Sequence, residues 1–200
     1  MGIPQHLISP RSHVSQEMRE ARQPHKGMAF WLTGLSGAGK STLAHAVELE
    51  LFHRQYNIVV LDGDVIRKGL CQDLGFWPEG RAENNRRVAE LVKIFVGTGM
   101  ICLCAFISPS RKARCRVREI VGRKFFREVF VQCSVGECEL RDVKGFYFKA
   151  RQGIIQNYTG ISSGYEPPLR PDLVIRTENT PVEKNVAELR SFIETQTSRA

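Results

Sequence analysis

The sequence predicts an α/β fold with a parallel β-sheet and helices on both faces. From Lys26 onward, short apolar runs with strand-like composition alternate with segments that have helical periodicity. The first apolar run leads into a glycine-rich loop and then into a helix, which is the order of elements in P-loop NTPases. Ligands of such sheets bind at the carboxyl ends of the strands, so the loops at that edge are expected to carry the chemistry.

The alternation predicts five strands and five helices. The strands are expected over Met28–Thr33, Ile58–Asp62, 100–106, 128–133 and Leu173–Arg176. The helices are expected over 41–54, 81–97, 112–122, 135–142 and 181–195. Residues 1–25 are polar and lack periodicity, so we expect an N-terminal extension that is ordered in part at most, followed by one domain over 26–200.

Composition narrows the functional classes. Of the 200 residues 42% are hydrophobic and 25% are charged, as is usual for a globular protein. Glycines interrupt the longest apolar stretch, near 94–107, so no membrane span is expected. The start of the chain lacks the pattern of a secretion signal, which favours a cytoplasmic location. The net charge of +8 suits either nucleic acid or small anions, and arginines placed in motifs at strand ends favour small anions and no nucleic acid.

The six cysteines are scattered and form no C-x-x-C pair. Cys102 and Cys104 alternate along a predicted strand, so both should point to one face of the sheet. A zinc site would need more ligands at closer, repeated spacing. We therefore expect buried, reduced thiols.

The glycine-rich loop is the strongest functional signal, because it matches the pattern G-x-x-x-x-G-K-[ST] between a strand and a helix. Its backbone N–H groups and the helix dipole would hold a polyphosphate, so ATP is the expected ligand. Lys40 would contact the β- and γ-phosphates, and the Ser41 hydroxyl would ligate Mg²⁺. The alternative is a glycine-rich turn that matches by chance. The predicted nucleotide-binding residues here are Gly34, Leu35, Ser36, Gly37, Ala38, Gly39, Lys40, Ser41 and Thr42.

The second predicted strand ends in the sequence LDGD, residues 61–64. Its acids would lie near the Mg²⁺ and near the group that accepts the phosphoryl. Asp64 is a candidate for the base that takes a proton from an attacking hydroxyl, and so a candidate catalytic residue together with Lys40. The alternative is an ordinary Asp-Gly turn in which Asp64 caps a helix.

Further motifs make the chain resemble the adenylyl-sulfate (APS) kinases. After the P-loop and LDGD follow GLCQDLGF at 69–76, RAENNRRVAE at 81–90, FISP at 106–109, RDVKGFY at 141–147 and YTGI at 158–161. The resemblance extends over nearly all of 26–177. It implies a P-loop kinase that moves the γ-phosphoryl of Mg²⁺ATP to the 3′-hydroxyl of adenosine 5′-phosphosulfate (APS), which gives 3′-phosphoadenylyl sulfate (PAPS) and ADP. It also implies a homodimer in sulfate assimilation and a mobile lid, from Arg141 to about Tyr158, that excludes water during transfer. A functional association with ATP sulfurylase is left open.

The resemblance assigns roles residue by residue. It implies that Phe76 and Tyr158 sandwich the APS adenine, and that Arg67, Arg81 and Lys144 hold the phosphosulfate. It places Arg141 against the ATP adenine. The remaining residues that it assigns are Asn84, Ile107, Ser108 and Thr159 for APS and Thr180 for the nucleotide. The alternatives are that the aromatics belong to the core and that Lys144 lies on a solvated helix face.

Ser108 has two interpretations. A phosphoserine intermediate has been described at the corresponding serine of this family, which would make Ser108 catalytic. P-loop kinases ordinarily transfer phosphate directly, and nothing in the sequence places a base beside Ser108. We regard it as an active-site residue and favour substrate positioning as its work.

The chain departs from the family pattern at Trp77, Gly80, Asn85 and Gly164. None of these departures removes a phosphate donor, so activity is still expected. Two other functions remain open at this point. One is a P-loop kinase with another small-metabolite acceptor, which would leave the paired aromatics and FISP without a purpose. The other is a basic nucleic-acid-binding or regulatory NTPase, which should show a contiguous basic stripe.

Overall fold

The computed structural model describes residues 12–142 and 144–199, and its centre is a five-stranded parallel sheet of order β2-β3-β1-β4-β5. The α/β fold predicted from the alternation is therefore confirmed. The strands are β1 (Met28–Thr33), β2 (Ile58–Asp62), β3 (Ile101–Ala105), β4 (Phe126–Gln132) and β5 (Leu173–Arg176). Because β1 lies between β3 and β4, the strand order reverses beside it, and a crevice opens there at the carboxyl ends of the strands.

Eight α-helices and one 3₁₀ turn complete the described part of the chain. They are α1 (Gln16–Glu20), α2 (Lys40–His53), α3 (Gly63–Ile66), α4 (Pro78–Gly97), α5 (Arg111–Val121), the 3₁₀ turn Arg123–Phe125, α6 (Val135–Arg141), α7 (Phe146–Arg151) and α8 (Val182–Thr197). The five predicted helices are α2, α4, α5, α6 and α8. Helix α4 begins three residues earlier than predicted, because Pro78 at its first turn suits a helix start. Among the described residues, no helix is both long enough and apolar enough to cross a bilayer.

Two hydrophobic clusters pack on the opposite faces of the sheet. Alternate residues of β1 divide between them: Phe30 faces helices α2 and α8, and Trp31 faces α4 and α5. Cys102 and Cys104 are both buried in the cluster around Trp31, so the prediction that they share one face is confirmed. All six cysteines are free, but the expectation of burial is wrong for Cys115, which is exposed on α5 where its helix faces outward.

The segment before β1 lies along the edge of the domain. His25 is fully buried, its Nε2 accepts a hydrogen bond from the Asn57 backbone N–H at 2.8 Å, and its ring stacks on Tyr56. The Lys26 N–H donates to the Thr197 carbonyl at 2.9 Å. The last residues of the predicted extension are therefore in contact with the domain. Residues 1–11 lie outside the described part of the chain, and the boundary at residue 25 stays a prediction.

Candidate active site

A cavity of about 690 Å³ opens at the carboxyl ends of β1, β2 and β3. Its size lies within the range typical of small-molecule sites. The P-loop forms one wall, α3 and the start of α4 form another, and a third contains Arg141, Asp142, Lys144 and Tyr147. The residues that the sequence placed at strand ends therefore meet in one crevice.

The P-loop backbone takes a shape that requires glycine. Gly39, at the start of α2, has φ 94°, which lies in the left-handed region that side chains disfavour. At Gly34 a Cβ would lie 2.3 Å from the Val131 carbonyl oxygen, so β4 leaves no room for one. The N-terminus of α2 is thereby turned toward the cavity, where its N–H groups favour an anion.

Lys40 is folded back onto the loop that precedes it. Its ammonium donates to the Gly34 carbonyl at 3.0 Å and to the Leu35 carbonyl at 2.6 Å. The side chain is buried, and the loss of hydration lowers the pKa of Lys40 to about 8, although Asp62 and Asp64 favour its charged form. A polyphosphate in this cavity would give the ammonium the anionic partner that it lacks.

Ser41 and Asp62 form a pair suited to Mg²⁺. The Ser41 hydroxyl donates to Asp62 Oδ2 at 2.5 Å, and Asp62 Oδ1 accepts from the Asp64 N–H at 2.8 Å. Hydroxyl and carboxylate oxygens are the ligands that Mg²⁺ prefers. The residues present therefore fit a magnesium ion held against the nucleotide, with Ser41 as a ligand and Asp62 beside it.

Asp64, the predicted base, lies at the mouth of the cavity. Its carboxylate forms an ion pair with the Lys144 ammonium, and both side chains are more than half exposed. This contact raises the pKa of Lys144, since the hydrogen bond to Asp64 favours the charged lysine. The pair connects the end of β2 to the third wall of the cavity. Asp64 also caps no helix, because it is Asp62 that caps α3.

Two arginines meet at the exposed ring of Phe76. The Arg67 guanidinium lies 4.3 Å from the ring centroid and donates to the carbonyls of Leu74 and Gly75. Arg81 donates to the Phe76 carbonyl at 2.6 Å and to the Asn157 carbonyl at 3.1 Å. Partial burial lowers the pKa of both arginines, because it removes hydration from the charged guanidinium groups. Among the described residues, every acceptor of these two side chains is a neutral carbonyl, so both can exchange their acceptors for an anion.

The floor of the cavity is polar and buried. Asn84 is 3% exposed, and its Oδ1 has no hydrogen-bond partner among the described residues. Ser108 is also buried: its hydroxyl accepts from Trp31 Nε1 at 3.0 Å and donates to Asn85 Oδ1 at 3.3 Å. An unpartnered buried amide oxygen is costly, so Asn84 suits a ligand that donates a hydrogen bond.

The opposite wall joins α6 to the P-loop. Arg141 donates to the Thr177 carbonyl at 2.7 Å and to Glu137 Oε1 at 2.9 Å. Thr177 in turn donates to the Ala38 carbonyl at 3.0 Å, and the Tyr147 hydroxyl donates to the Ser36 carbonyl at 2.9 Å. These bonds fasten the predicted lid to the loop that would hold the phosphates.

A carboxylate caps the lid helix. Asp142 accepts from the backbone N–H groups of Phe146, Tyr147 and Phe148 at 2.9–3.1 Å. Loss of hydration raises the pKa of Asp142, but the three backbone N–H donors stabilise the carboxylate more strongly. The pKa of Asp142 is therefore below its usual value. Helix α7 is only six residues long, so the cap is a large part of what fixes its start.

Most of the predicted site residues line the cavity together. They are Ser36, Gly37, Gly39, Lys40, Ser41, Thr42, Asp64, Arg67, Phe76, Arg81, Asn84, Ile107, Ser108, Arg141, Lys144 and Thr180. Gly34, Leu35 and Ala38 belong to the P-loop but do not line the cavity.

Tyr158 and Thr159 are the two predicted substrate-binding residues that the structure does not bring to the cavity. Tyr158 is 8% exposed and packs edge-on against Tyr147, with ring centroids 5.0 Å apart. Its hydroxyl and the Thr159 hydroxyl are buried without partners among the described residues. The adenine sandwich of Phe76 and Tyr158 stays a prediction.

The polar residues that line the cavity without a predicted site role include Asn85, Tyr147 and Thr177. The LDGD pattern already indicated Asp62 as an acid near the Mg²⁺, although it gave Asp62 no role of its own. The sequence indicated Asn85 only as a departure from the family pattern. Tyr147 and Thr177 are connected to the P-loop through hydrogen bonds that no sequence spacing reveals.

Two other departures from the family pattern, Gly80 and Trp77, both lie against Gly75. At Gly80 a Cβ would lie 2.6 Å from the Gly75 carbonyl oxygen, so the start of α4 approaches the preceding turn closely. The Trp77 indole lies over Gly75, where an added Cβ would meet it at 2.0 Å. Trp77 therefore covers the turn and does not line the cavity.

Comparison with known proteins decides the family. The sequence model of the family described as adenylylsulphate kinase matches residues 26–176, which is three-quarters of the chain. The chain belongs to the adenylylsulphate kinase family. An adenylyl-sulfate kinase from Acaryochloris marina is 48% identical over 94% of this chain and 92% of its own length. Another, from Pseudomonas aeruginosa, is 45% identical over 94% and 98% of the two lengths.

Solved structures agree with this family membership. The Mycobacterium tuberculosis APS kinase in complex with AMPPNP and APS has a TM-score of 0.82 and 39% identity, over 86% of this chain and 99% of that one. A gluconokinase from Sinorhizobium meliloti has a TM-score of 0.52 but only 13% identity, so it shares the fold alone. The fold is thus shared with a gluconokinase, and it is the family match that assigns this chain to the adenylylsulphate kinases.

Proposed function

We propose that this protein is an adenylyl-sulfate kinase, which transfers the γ-phosphoryl of ATP to the 3′-hydroxyl of APS and releases PAPS and ADP. One observation carries the proposal. A single cavity holds a phosphate-binding loop with Lys40 at one end and two arginines with neutral acceptors at the other. This is the charge distribution that suits two anionic nucleotides meeting end to end. The family membership and the APS-bound relative support it.

The mechanism follows from where the residues lie. The P-loop and Lys40 would hold the donor phosphates, and Arg67 and Arg81 would neutralise the phosphosulfate. Mg²⁺, held at Ser41 with Asp62 behind it, would neutralise charge on the transferred group. The acceptor hydroxyl oxygen then forms a bond to the γ-phosphorus while the bond to the β-γ bridging oxygen breaks. We assign the uptake of the hydroxyl proton to Asp64.

Closure of the lid protects the transfer from water. The ion pair of Lys144 with Asp64 and the bond of Tyr147 to Ser36 join the lid to both halves of the cavity. For Asp64 to take a proton, Lys144 must pass from its carboxylate to the substrate anion. We propose that arrival of APS drives this exchange, so that the base is free only when the acceptor is present.

An ADP-release assay tests the proposal. With Mg²⁺ATP, the purified protein should release ADP when APS is added and not with shikimate, gluconate or AMP at the same concentration. Turnover that is independent of APS would contradict it, and turnover with gluconate would favour a kinase for another metabolite. Arg81→Ala should weaken APS binding by about 1.5–3 kcal/mol, the range for a hydrogen bond to a charged group. Unchanged APS affinity would remove Arg81 from the site.

The assembly and location are part of the same proposal. We propose that the enzyme works as a cytoplasmic homodimer with a functional link to ATP sulfurylase. The free thiols of the described residues suit a reducing compartment. A hexameric APS kinase from Thiobacillus denitrificans, with a TM-score of 0.64, is 27% identical over 90% of this chain, although the chain covers only 31% of it. Light scattering on the purified protein should give twice the monomer mass of 22.7 kDa, and a monomer would contradict the dimer.

A further inference from the structure

We propose that Asn85 is a positioning residue that fixes the hydroxyl of Ser108 as a hydrogen-bond acceptor toward the substrate. The proposal rests on the proposed function, because it concerns the same cavity. It gives a role to Asn85, one of the positions where the chain departs from the family pattern. It also assigns a direction to the Ser108 hydroxyl, which the sequence left open.

The backbone of Ser108 is held in a conformation that is unfavourable for serine. Its φ is 42°, in the left-handed region, and Pro109 follows it. Such a conformation is strained and persists only when the surroundings impose it. Here the buried Arg114 donates to the Ser108 carbonyl at 2.7 Å, and the Thr33 hydroxyl donates to the Ile107 carbonyl at 2.8 Å. The main chain is therefore fixed independently of the side chain.

The hydroxyl of Ser108 is fixed by two further bonds. The Trp31 indole N–H donates to its oxygen at 3.0 Å, and its own hydrogen is donated to Asn85 Oδ1 at 3.3 Å. Trp31 is fully buried and stacked on Phe106 with ring centroids 5.0 Å apart, so the indole cannot turn away. A hydroxyl has one hydrogen and two acceptor lone pairs. The hydrogen and one lone pair are thus occupied within the protein.

What remains is one lone pair, and this determines what Ser108 can bind. The oxygen can accept a hydrogen bond from a hydroxyl or amino group of a ligand, but it has no hydrogen to give to a phosphate or sulfate. Neither partner of the hydroxyl is a base, so nothing here prepares it to attack phosphorus. With an aliphatic residue at position 85, the hydrogen would be free to turn into the cavity. Asn85 therefore selects the acceptor state.

Few other contacts account for an asparagine at position 85. It is 4% exposed and lines the cavity, and Ser108 is its only hydrogen-bonded side-chain partner among the described residues. Burial of a side-chain amide costs free energy unless its polar atoms form hydrogen bonds. Its neighbour Asn84 faces the same cavity, and its amide oxygen has no partner within the described ranges. The two amides thus differ in role: Asn84 is open to a ligand, and Asn85 acts through Ser108.

The first test is nuclear magnetic resonance of the indole N–H groups. The chain has two tryptophans, so Trp77→Phe assigns the Trp31 signal. Asn85→Leu should move this signal, because the Ser108 hydroxyl loses its fixed orientation, and Asn85→Asp should leave it near its original position because a carboxylate still accepts. Lys93→Gln, on the exposed face of the same helix, is the control. If Asn85→Leu leaves the signal where it was, Asn85 does not orient Ser108 and the proposal is wrong. Should the leucine variant not fold, Asn85→Ala serves in its place.

The second test is a kinetic double-mutant cycle. Asn85→Leu should raise KM for APS about 5–10-fold, the equivalent of one neutral hydrogen bond, and leave KM for ATP within about twofold. Ser108→Ala should have a similar effect, and the double variant should match Ser108→Ala alone, since Asn85 acts through Ser108. Effects that multiply would overturn the proposal. If the wild-type protein forms no ADP with APS, the proposed function fails, and the indole measurement still decides whether Asn85 orients Ser108.

Discussion

The lowered pKa of Lys40 predicts that nucleotide binding takes up a proton. In the free protein the ammonium is buried against two carbonyls and its pKa is about 8, below the ordinary lysine value of 10.5. A bound polyphosphate adds negative charge beside it, so the pKa of the bound state must be higher. Nucleotide affinity is therefore greatest below pH 8 and falls as the pH rises through the pKa of the free protein.

The size of the effect follows from that value. At pH 8.5 the free Lys40 is about three-quarters neutral, so binding should take up about 0.75 proton per nucleotide; at pH 7.5 it should take up about 0.25. Between pH 7.5 and 9.5 the protonated fraction falls about 25-fold, which corresponds to ~1.9 kcal/mol of binding free energy. The phosphates of ADP are already ionised over this range, so they do not add to the change.

Titration calorimetry with Mg²⁺ADP measures both quantities. Runs in buffers of different ionisation enthalpy give the number of protons taken up, and the pH series gives the affinity. Lys40→Arg is the matched control, because a guanidinium remains charged throughout this range and should show no proton uptake. An affinity that stays constant from pH 7.5 to 9.5, or proton uptake equal in the two proteins, would refute the reasoning.

The remaining predictions concern the metal, the lid and the turn before α4. Ser41→Ala should raise the Mg²⁺ concentration for half-maximal ADP release about tenfold, because it removes one ligand; an unchanged requirement would exclude this hydroxyl. Asp142→Ala should lower the thermal midpoint by about 2–4 °C, and the loss should vanish at acid pH, where the protonated carboxyl no longer caps the helix. Gly80→Ala should destabilise by about 1–3 kcal/mol through the contact with Gly75, whereas Gly97→Ala, with open space around it, should not; equal thermal midpoints would contradict the close approach.

The sequence was most informative where a buried strand ends in a polar motif. The bounds of β1, β2 and β5 agree with prediction, because apolar runs stop at Gly34, Gly63 and Thr177. The short helices α1, α3 and α7 were missed. They have five, four and six residues, too few for a periodic pattern, and α7 depends on a cap from Asp142.

Within the site, motifs indicated which residues gather, and they could not indicate how the side chains are turned. Lys40 bonds to its own loop, and Arg67 covers the ring of Phe76. Tyr158 is buried beside Tyr147. This packing depends on long-range contacts, which the local spacing of residues does not indicate. The role of Asn85 likewise depends on Trp31 and Ser108, which lie far from it in the sequence.

The most direct measurement is the position of the transferred phosphate. The protein is incubated with Mg²⁺, APS and ATP that carries an oxygen-18-labelled γ-phosphoryl, and the nucleotide product is analysed by mass and by phosphorus magnetic resonance. A single new labelled phosphate on the 3′-oxygen of APS, formed in step with ADP, is the predicted result. Label found in inorganic phosphate alone, or on any other oxygen, would contradict the claim that this cavity aligns the two nucleotides for transfer.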